Sequence, residues 1–98
     1  MKPDIHGKQI DVGDALRTHV DEKISDINSK YFNHVTSVKV IFSREGHGHG
    51  MIRVTISYQV GKNIMINAEG QAGDAYAAFD EAVEHASKRL RRYKKTPA

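Results

Sequence analysis

A dense group of cations in the last part of the chain is the strongest chemical signal in the sequence. Six of the eight residues from 88 to 95 are Lys or Arg, whereas residues 71–87 contain four acids and no Lys or Arg. Like charges this close repel one another on a helix, so their density is typical of a surface that binds a polyanion such as nucleic acid. A solvated helix end, favoured by the helix dipole, and an acidic protein or membrane surface remain open as other interpretations.

Other candidate chemistry is sparse. His47 and His49 form a His-x-His pair in a glycine-rich segment, but no third ligand has a fixed spacing to them, so we expect a polar hairpin tip rather than a metal site. The chain contains no cysteine, which excludes a disulfide framework and a cysteine nucleophile. It also lacks a phosphate-binding loop, a dinucleotide fingerprint and a nucleophile elbow. We therefore predict a non-enzymatic protein without a metal, cofactor or small-molecule substrate.

Hydrophobic periodicity predicts the elements that must position the cations. A weak first strand spans residues 3–10, and an amphipathic helix of about 18 residues follows, with Asp11 or Gly13 as its N-cap and Asp14 in its first turn. Alternation predicts strands around residues 38–43, 52–59 and 64–68, separated by turns at 46–50 and 61–63. We interpret residues 70–73 as a loop. A second helix is predicted from Asp74, its N-cap, to about Tyr93.

The order β-α-β-β-β-α predicts an α+β fold, in which a four-stranded mixed sheet has two helices packed on one face. Each element then buries its apolar side, and the first two strands pair in parallel. No linker or repeat interrupts the 98 residues, so we predict one domain over residues 1–98. The first residues lack the apolar segment of a signal peptide, and no uncharged stretch approaches the roughly 20 residues that span a bilayer. We expect no membrane partner.

On the predicted second helix, most of the cations fall opposite the apolar stripe. His85, Lys88, Arg92 and Lys95 follow one ridge, Arg91 lies on the same exposed side, and Arg89 flanks it. The strands lack the aromatic signature that stacks bases in RNA-recognition motifs. Recognition of shape and phosphates by the helices therefore fits better than base stacking on the sheet.

Three segments, with this element order, resemble the ribosome hibernation promoting factor family, which includes protein Y. They are residues 5–8 (IHGK), 14–24 (DALRTHVDEKI), and 68–71 (AEGQ) leading to 74–80 (DAYAAFD). The resemblance covers nearly the whole chain. It implies a cytoplasmic stress-phase or stationary-phase factor that binds the small ribosomal subunit in its decoding channel. There such a factor contacts ribosomal RNA, blocks the tRNA and mRNA sites and inhibits translation.

The resemblance also implies that basic residues of both helices contact RNA phosphates. Lys23, Lys88 and Arg92 match basic positions of the family, whereas His85 stands where relatives often have Lys, so we expect that contact to strengthen on acidification. Asp26 replaces a basic residue common among relatives, and Lys30, one turn on, is the expected substitute. The predicted RNA-binding residues are Arg17, Lys23, Lys30, His85, Lys88, Arg89, Arg91, Arg92 and Lys95.

Two alternatives remain beside this interpretation. One is a self-associating protein-interaction module that uses an exposed strand face or edge, and the other is a general binder of double-stranded RNA. The family has short members and long members, the latter with a C-terminal domain that promotes ribosome dimers. The sequence leaves open which kind this chain comes from, and ribosome dimerisation is expected only if such a domain follows.

Overall fold

Six elements follow one another in the predicted order. The computed structural model describes residues 3–8, 10–31, 35–45, 50–61 and 64–95. The elements are β1 (Asp4–Lys8), α1 (Asp14–Tyr31), β2 (Val35–Glu45), β3 (Met51–Val60), β4 (Ile64–Ala72) and α2 (Ala75–Lys95). Most of the predicted turn at 46–50, with His47 and His49, and residues 62 and 63 of the second turn lie outside the described residues.

The four strands form one mixed sheet in the order β1-β2-β3-β4. β1 pairs with β2 in parallel, and the β2–β3 and β3–β4 pairs are antiparallel. One row of the register crosses the whole sheet, from Ile5 through Val40 and Ile56 to Ala68. Side chains in one row lie on the same face of the sheet. Because side chains alternate along each strand, successive rows face the helices and the solvent in turn. The α+β fold predicted from the sequence is confirmed.

The apolar face of the sheet and the apolar sides of both helices make one core. From α1 the core takes Leu16, Val20, Ile24 and Ile27, and from α2 it takes Ala78, Phe79, Ala82, Ala86 and Leu90. The rings of Phe42 and Phe79 stack across the layers with their centroids 6.2 Å apart. No charged side chain is buried within the described ranges. The opposite face of the sheet carries alternating polar side chains such as Lys39, Arg53, Thr55 and Ser57.

Both helices begin where the sequence places a cap. In α1 the Arg17 amide donates to the Gly13 carbonyl at 3.0 Å, so Gly13 rather than Asp11 is the N-cap. In α2 the Asp74 carboxylate accepts from the Ala77 amide at 3.0 Å, which confirms Asp74 as the N-cap. This helix continues to Lys95, two residues beyond the predicted end.

The two helices run in the same direction and end at the same end of the sheet. Because β1 and β2 are parallel, α1 between them must run back against both strands. β4 points the same way as β2, since both are antiparallel to β3. Early in α2, the backbone of Ala82 lies against Gly70. Later in α2, Arg89 reaches Asn67, which precedes Gly70 in β4, so α2 runs against β4.

Several strand boundaries differ from the sequence-based prediction, and β2 begins three residues earlier and ends two residues later than predicted. β1 is shorter than predicted and ends at Lys8, and Ile10 lies against Gly7, where a Cβ would collide with the Ile10 carbonyl. β4 is longer than predicted and continues to Ala72, so the interpretation of Gly70 as loop was wrong. Gly70 pairs with Val54 and is buried, and a Cβ on it would collide with the backbone of Ala78 and Ala82. Glycine at this position lets α2 rest directly on the strand.

Gly70→Ala is therefore expected to destabilise the fold by about 1–3 kcal/mol or more, because the new methyl group forces α2 away from β4. Gly73→Ala is the matched control, since a Cβ at Gly73 has no neighbour within 4 Å and its backbone is not left-handed. Urea denaturation followed by circular dichroism measures both changes. Equal stability of the two variants would contradict the close approach.

Tyr58 places a phenol in the apolar interior. Its side chain is buried on the helix face of β3, and its hydroxyl has no hydrogen-bond partner among the described residues. Burial raises the pKa of the Tyr58 phenol, because the phenolate would lose its hydration. An unpaired buried hydroxyl destabilises a fold by about 1–3 kcal/mol. The unpaired hydroxyl of Tyr58 therefore lowers the free energy of unfolding, although its ring is well packed.

Tyr58→Phe is expected to stabilise the protein by roughly 1 kcal/mol, since it removes the unpaired hydroxyl and keeps the ring. The phenol of the unfolded chain ionises above about pH 10, whereas the folded one resists ionisation. The free energy of unfolding of the unsubstituted protein should therefore fall as the pH rises beyond that value, and less so for the variant. Urea titrations at neutral and alkaline pH measure both effects. A variant less stable at neutral pH would contradict the unpaired hydroxyl.

Candidate nucleic-acid interface

The two helices contact each other through residues in their N-terminal halves. His19 of α1 lies with its Nε2 2.8 Å from Asp80 Oδ1 of α2. The His19 ring also meets the rings of Tyr76 and Phe79 edge to face, with centroids 5.2 Å and 5.6 Å away. These contacts fix how α1 and α2 lie against each other. They also explain why Tyr76, although half-exposed, is held at the start of its helix.

Exposed cations line the seam that continues from this contact toward the helix C-termini. Lys23 lies one turn beyond His19 on the same side of α1, and Arg91 lies three turns beyond Asp80 on the same side of α2. Both side chains are exposed, and neither has an ionic partner within the described ranges. Because the helices run in the same direction, both cations lie further along their helices than the His19–Asp80 contact, on the side that leads to the helix C-termini.

Lys88 lies on the outer surface of α2 and is also exposed. Its Nζ is 3.5 Å from Glu84 Oε1, one turn earlier in the helix, and both side chains are more than half exposed. An exposed pair of this kind contributes little to stability, because water and salt screen it. Lys88 can therefore leave Glu84 for a stronger anion. We group Lys23, Lys88 and Arg91 as the outward cations.

His85 and Arg89 behave differently, although they belong to the same predicted set. The Nδ1 of His85 donates to the Glu69 carbonyl at 2.6 Å, and the Nη1 of Arg89 donates to the Asn67 carbonyl at 2.7 Å. Both acceptors are backbone atoms of β4. The predicted row of exposed residues from His85 to Lys95 therefore lacks its first member. His85 turns toward the sheet, whereas Lys88 faces outward. We call His85 and Arg89 the edge pair.

The remaining predicted residues lie on the same two helices. Arg17 is exposed in the first turn of α1, and its Nε donates to the Val12 carbonyl at 3.3 Å. Lys30 belongs to the last turn of α1, and Arg92 and Lys95 belong to the last turn of α2. For these three residues the structure describes the backbone. Their helical positions put them at the end of the molecule toward which the helices run.

The arrangement suits electrostatic binding to an extended anion. Within the described ranges, no group of three or more His, Asp or Glu residues could hold a metal ion. No helix in the described part of the chain is long and apolar enough to cross a membrane. Cations of two helices are instead presented on one layer and toward one end, which suits contact with successive phosphates.

Sequence reasoning missed the structural partners of this surface. His19 and Asp80 are 61 residues apart, and neither lies in a pattern that pairs them. The edge pair carried a weak signal, because His85 and Arg89 are one turn apart at the border of the apolar stripe. That border is where side chains of a helix reach the backbone beneath it.

Comparison with known proteins identifies the family. The model of the family described as sigma 54 modulation protein / S30EA ribosomal protein matches residues 4–96. The chain belongs to this family. The match includes all six elements and every predicted RNA-binding residue. With the relatives below, it confirms the resemblance to the ribosome hibernation promoting factor family inferred from three short segments.

Two curated relatives illustrate the S30EA match. The ribosome hibernation promoting factor of Azotobacter vinelandii is 37% identical over 94 residues, which cover 96% of this chain and 83% of the relative. The ribosome hibernation promotion factor of Bradyrhizobium diazoefficiens is 36% identical over 90 residues, which cover 92% of this chain and 43% of the relative. The chain thus spans less than half the length of that second protein.

Two solved structures share the fold. A ribosomal subunit interface protein from Coxiella burnetii superposes with a TM-score of 0.86 at 21% identity, covering 98% of this chain and all of that chain. The N-terminal domain of protein Y from Thermus thermophilus superposes with a TM-score of 0.79 at 24% identity, covering 95% of this chain and 99% of that one. The S30EA fold is therefore present over nearly the full length of the chain.

The hydrogen bond from His85 to β4 determines the tautomer of the His85 ring. Since a carbonyl accepts but does not donate, the Nδ1 of His85 must carry the proton even when the ring is neutral. We expect the neutral His85 ring to be the Nδ1–H form, the minor form of free histidine, and a long-range ¹⁵N–¹H spectrum above neutral pH measures it. An Nε2–H ring would contradict the hydrogen bond to Glu69.

Proposed function

We propose that this chain is the ribosome-binding domain of a hibernation factor. In this proposal, residues 1–98 form a single domain that enters the decoding channel of the small ribosomal subunit in the cytoplasm. There it contacts ribosomal RNA, excludes tRNA and mRNA and inhibits translation under stress or in stationary phase. Membership of the S30EA family carries the ribosomal part of the proposal. The outward cations carry the proposed contact with RNA.

The proposed mechanism is neutralisation of phosphates by side chains that the fold leaves available. Lys23 and Arg91 have no ionic partner among the described residues, and Lys88 has an exposed one that a phosphate can replace. Each phosphate contact releases counterions, so the affinity must fall as the salt concentration rises. No bond is made or broken, and binding itself is the inhibitory act. The proposed role is therefore non-enzymatic.

The helix layer fits the proposed contact better than the open face of the sheet. On the open face, cations alternate with acids and neutral side chains, and Arg53 lies 3.9 Å from Glu69 on the neighbouring strand. On the helix layer, the acids of α2 precede Lys88, and the cations are concentrated in its second half. A phosphate backbone therefore meets a more uniform positive surface along the second half of α2.

Of the alternatives, self-association through a strand edge is disfavoured by a specific observation. The edge pair binds two carbonyls of β4 that another strand would need. General binding of double-stranded RNA would use the same outward cations. Competition between ribosomes and duplex RNA distinguishes this alternative from specific ribosome binding. A preference for ribosomes over plain duplex is expected if a channel of defined shape is the target.

Replacing Lys88 and Arg91 by alanine is expected to weaken binding to the small subunit about tenfold or more at moderate salt. Since up to two phosphate contacts are lost, the slope of log affinity against log salt should become shallower by up to about 2. Co-sedimentation of the purified chain with small subunits over a salt series measures both quantities. Added duplex RNA in excess should not displace the chain, whereas bound tRNA should prevent its binding.

The matched control removes two cations from the sheet instead. Lys8 and Lys39 are exposed on β1 and β2, so Lys8→Ala with Lys39→Ala lowers the net charge by the same amount. This control is expected to retain the affinity and the salt slope. Binding that ignores salt, or equal losses in both double variants, would contradict phosphate recognition by the helices. Binding that duplex RNA abolishes would favour the general RNA binder.

A further inference from the structure

The free edge of β4 is occupied by side chains of α2. β4 is the last strand of the sheet, so no strand formed by the described residues lies beside its outer side. Arg89 and His85 donate to the carbonyls of Asn67 and Glu69, which are two residues apart. Residues two apart in a strand point their backbone groups to the same side. Both carbonyls therefore face away from β3, and both are closed by α2.

The same alternation determines the other groups on this edge. A residue of an antiparallel strand directs its N–H and its C=O to the same side, so the amides of Asn67 and Glu69 also face outward. With the edge pair removed, this segment presents two donors and two acceptors in the spacing of a strand. A second copy of β4 lying antiparallel presents the same groups in the complementary order, so the edge matches itself.

The sequence of β4 gives this edge little other protection. Natural edge strands are protected by short length, by lysine, by proline or by charge. β1, at the opposite edge, has five residues and carries Asp4 and Lys8. β4 has nine residues with neither lysine nor proline, and its single charged residue is Glu69. Its first residues also expose apolar side chains, with Ile64 38% and Met65 55% exposed.

We propose that the β4 edge is a latent self-association surface for a second copy of this chain, and that His85 and Arg89 keep it closed. The edge pair acts as a steric and hydrogen-bonding cover, because each side chain occupies the position of an incoming strand and satisfies one carbonyl. This assignment is independent of the proposed function. It gives His85 and Arg89 of the basic helix a role as a cover of the β4 edge, which is separate from binding to an anion.

The test is the oligomeric state of His85→Ala with Arg89→Ala. This double variant is expected to dimerise with increasing concentration, whereas the unsubstituted chain stays monomeric, and sedimentation velocity distinguishes the two. In the dimer, hydrogen exchange at the amides of Asn67 and Glu69 should slow at least tenfold, because they become paired. The matched control is Lys88→Ala with Arg91→Ala, which removes two cations from the same helix and should stay monomeric. A folded double variant that remains monomeric overturns the proposal.

A second substitution separates strand pairing from nonspecific aggregation. The amide of Asn67 faces outward, so proline is tolerated there without loss of a bond to β3 and prevents pairing at the edge. Adding Asn67→Pro to the double variant should restore the monomer, and persistence of the dimer overturns the proposal. If the double variant does not fold, the single substitutions His85→Ala and Arg89→Ala each open one carbonyl. Dimerisation of either single variant supports the cover, and folded monomers of both overturn it.

Discussion

The direct contact between α2 and the backbone of β4 is the constraint on which the other features of this molecule depend. At Gly70 no side chain separates the strand from the helix, so the distance and rotation of α2 are set by backbone atoms of Ala78 and Ala82. From that fixed point, Phe79 is directed into the core against Phe42, and Asp80 is directed toward His19. Further along, the same rotation brings Arg89 over the free edge of the sheet. A larger residue at position 70 would disturb all of these contacts together.

One run of charge in the sequence thus serves two different purposes in the structure. Lys88 and Arg89 are neighbours in the chain, but a step of 100° around the helix turns one to solvent and the other to a carbonyl. The guanidinium of Arg89 donates to the Asn67 carbonyl at the edge of the sheet, whereas the ammonium of Lys88 stays in solvent beside Glu84. The number of basic residues is therefore a poor measure of the charge available to a partner. The face of the helix on which each one lies is a better measure.

Much of the fold was predictable, because periodicity reports burial directly. The alternation of Ile52, Val54, Ile56 and Tyr58 and the helical spacing of Leu16, Val20 and Ile24 each correspond to buried positions. Gly70 misled the prediction, because glycine in a strand has the same composition signal as a loop, and only the helix above it explains its presence. In the candidate interface, the outward position of Lys88 followed from the helical wheel, whereas the contacts of His85 and Arg89 did not. A bond from a side chain to the backbone of a distant strand leaves no periodic trace in the sequence.

The common direction of the two helices has a consequence for how the molecule meets a charged partner from a distance. The partial negative charges of both helix C-termini lie at the end that carries the cations of α2, so these cations stabilise two helix ends at once. The acids of α2 lie in its first half, which separates positive from negative charge along the long direction of the helices. In the field of a polyanion such a body experiences a torque as well as an attraction. Such a torque favours approaches in which the end that carries the cations of α2 leads.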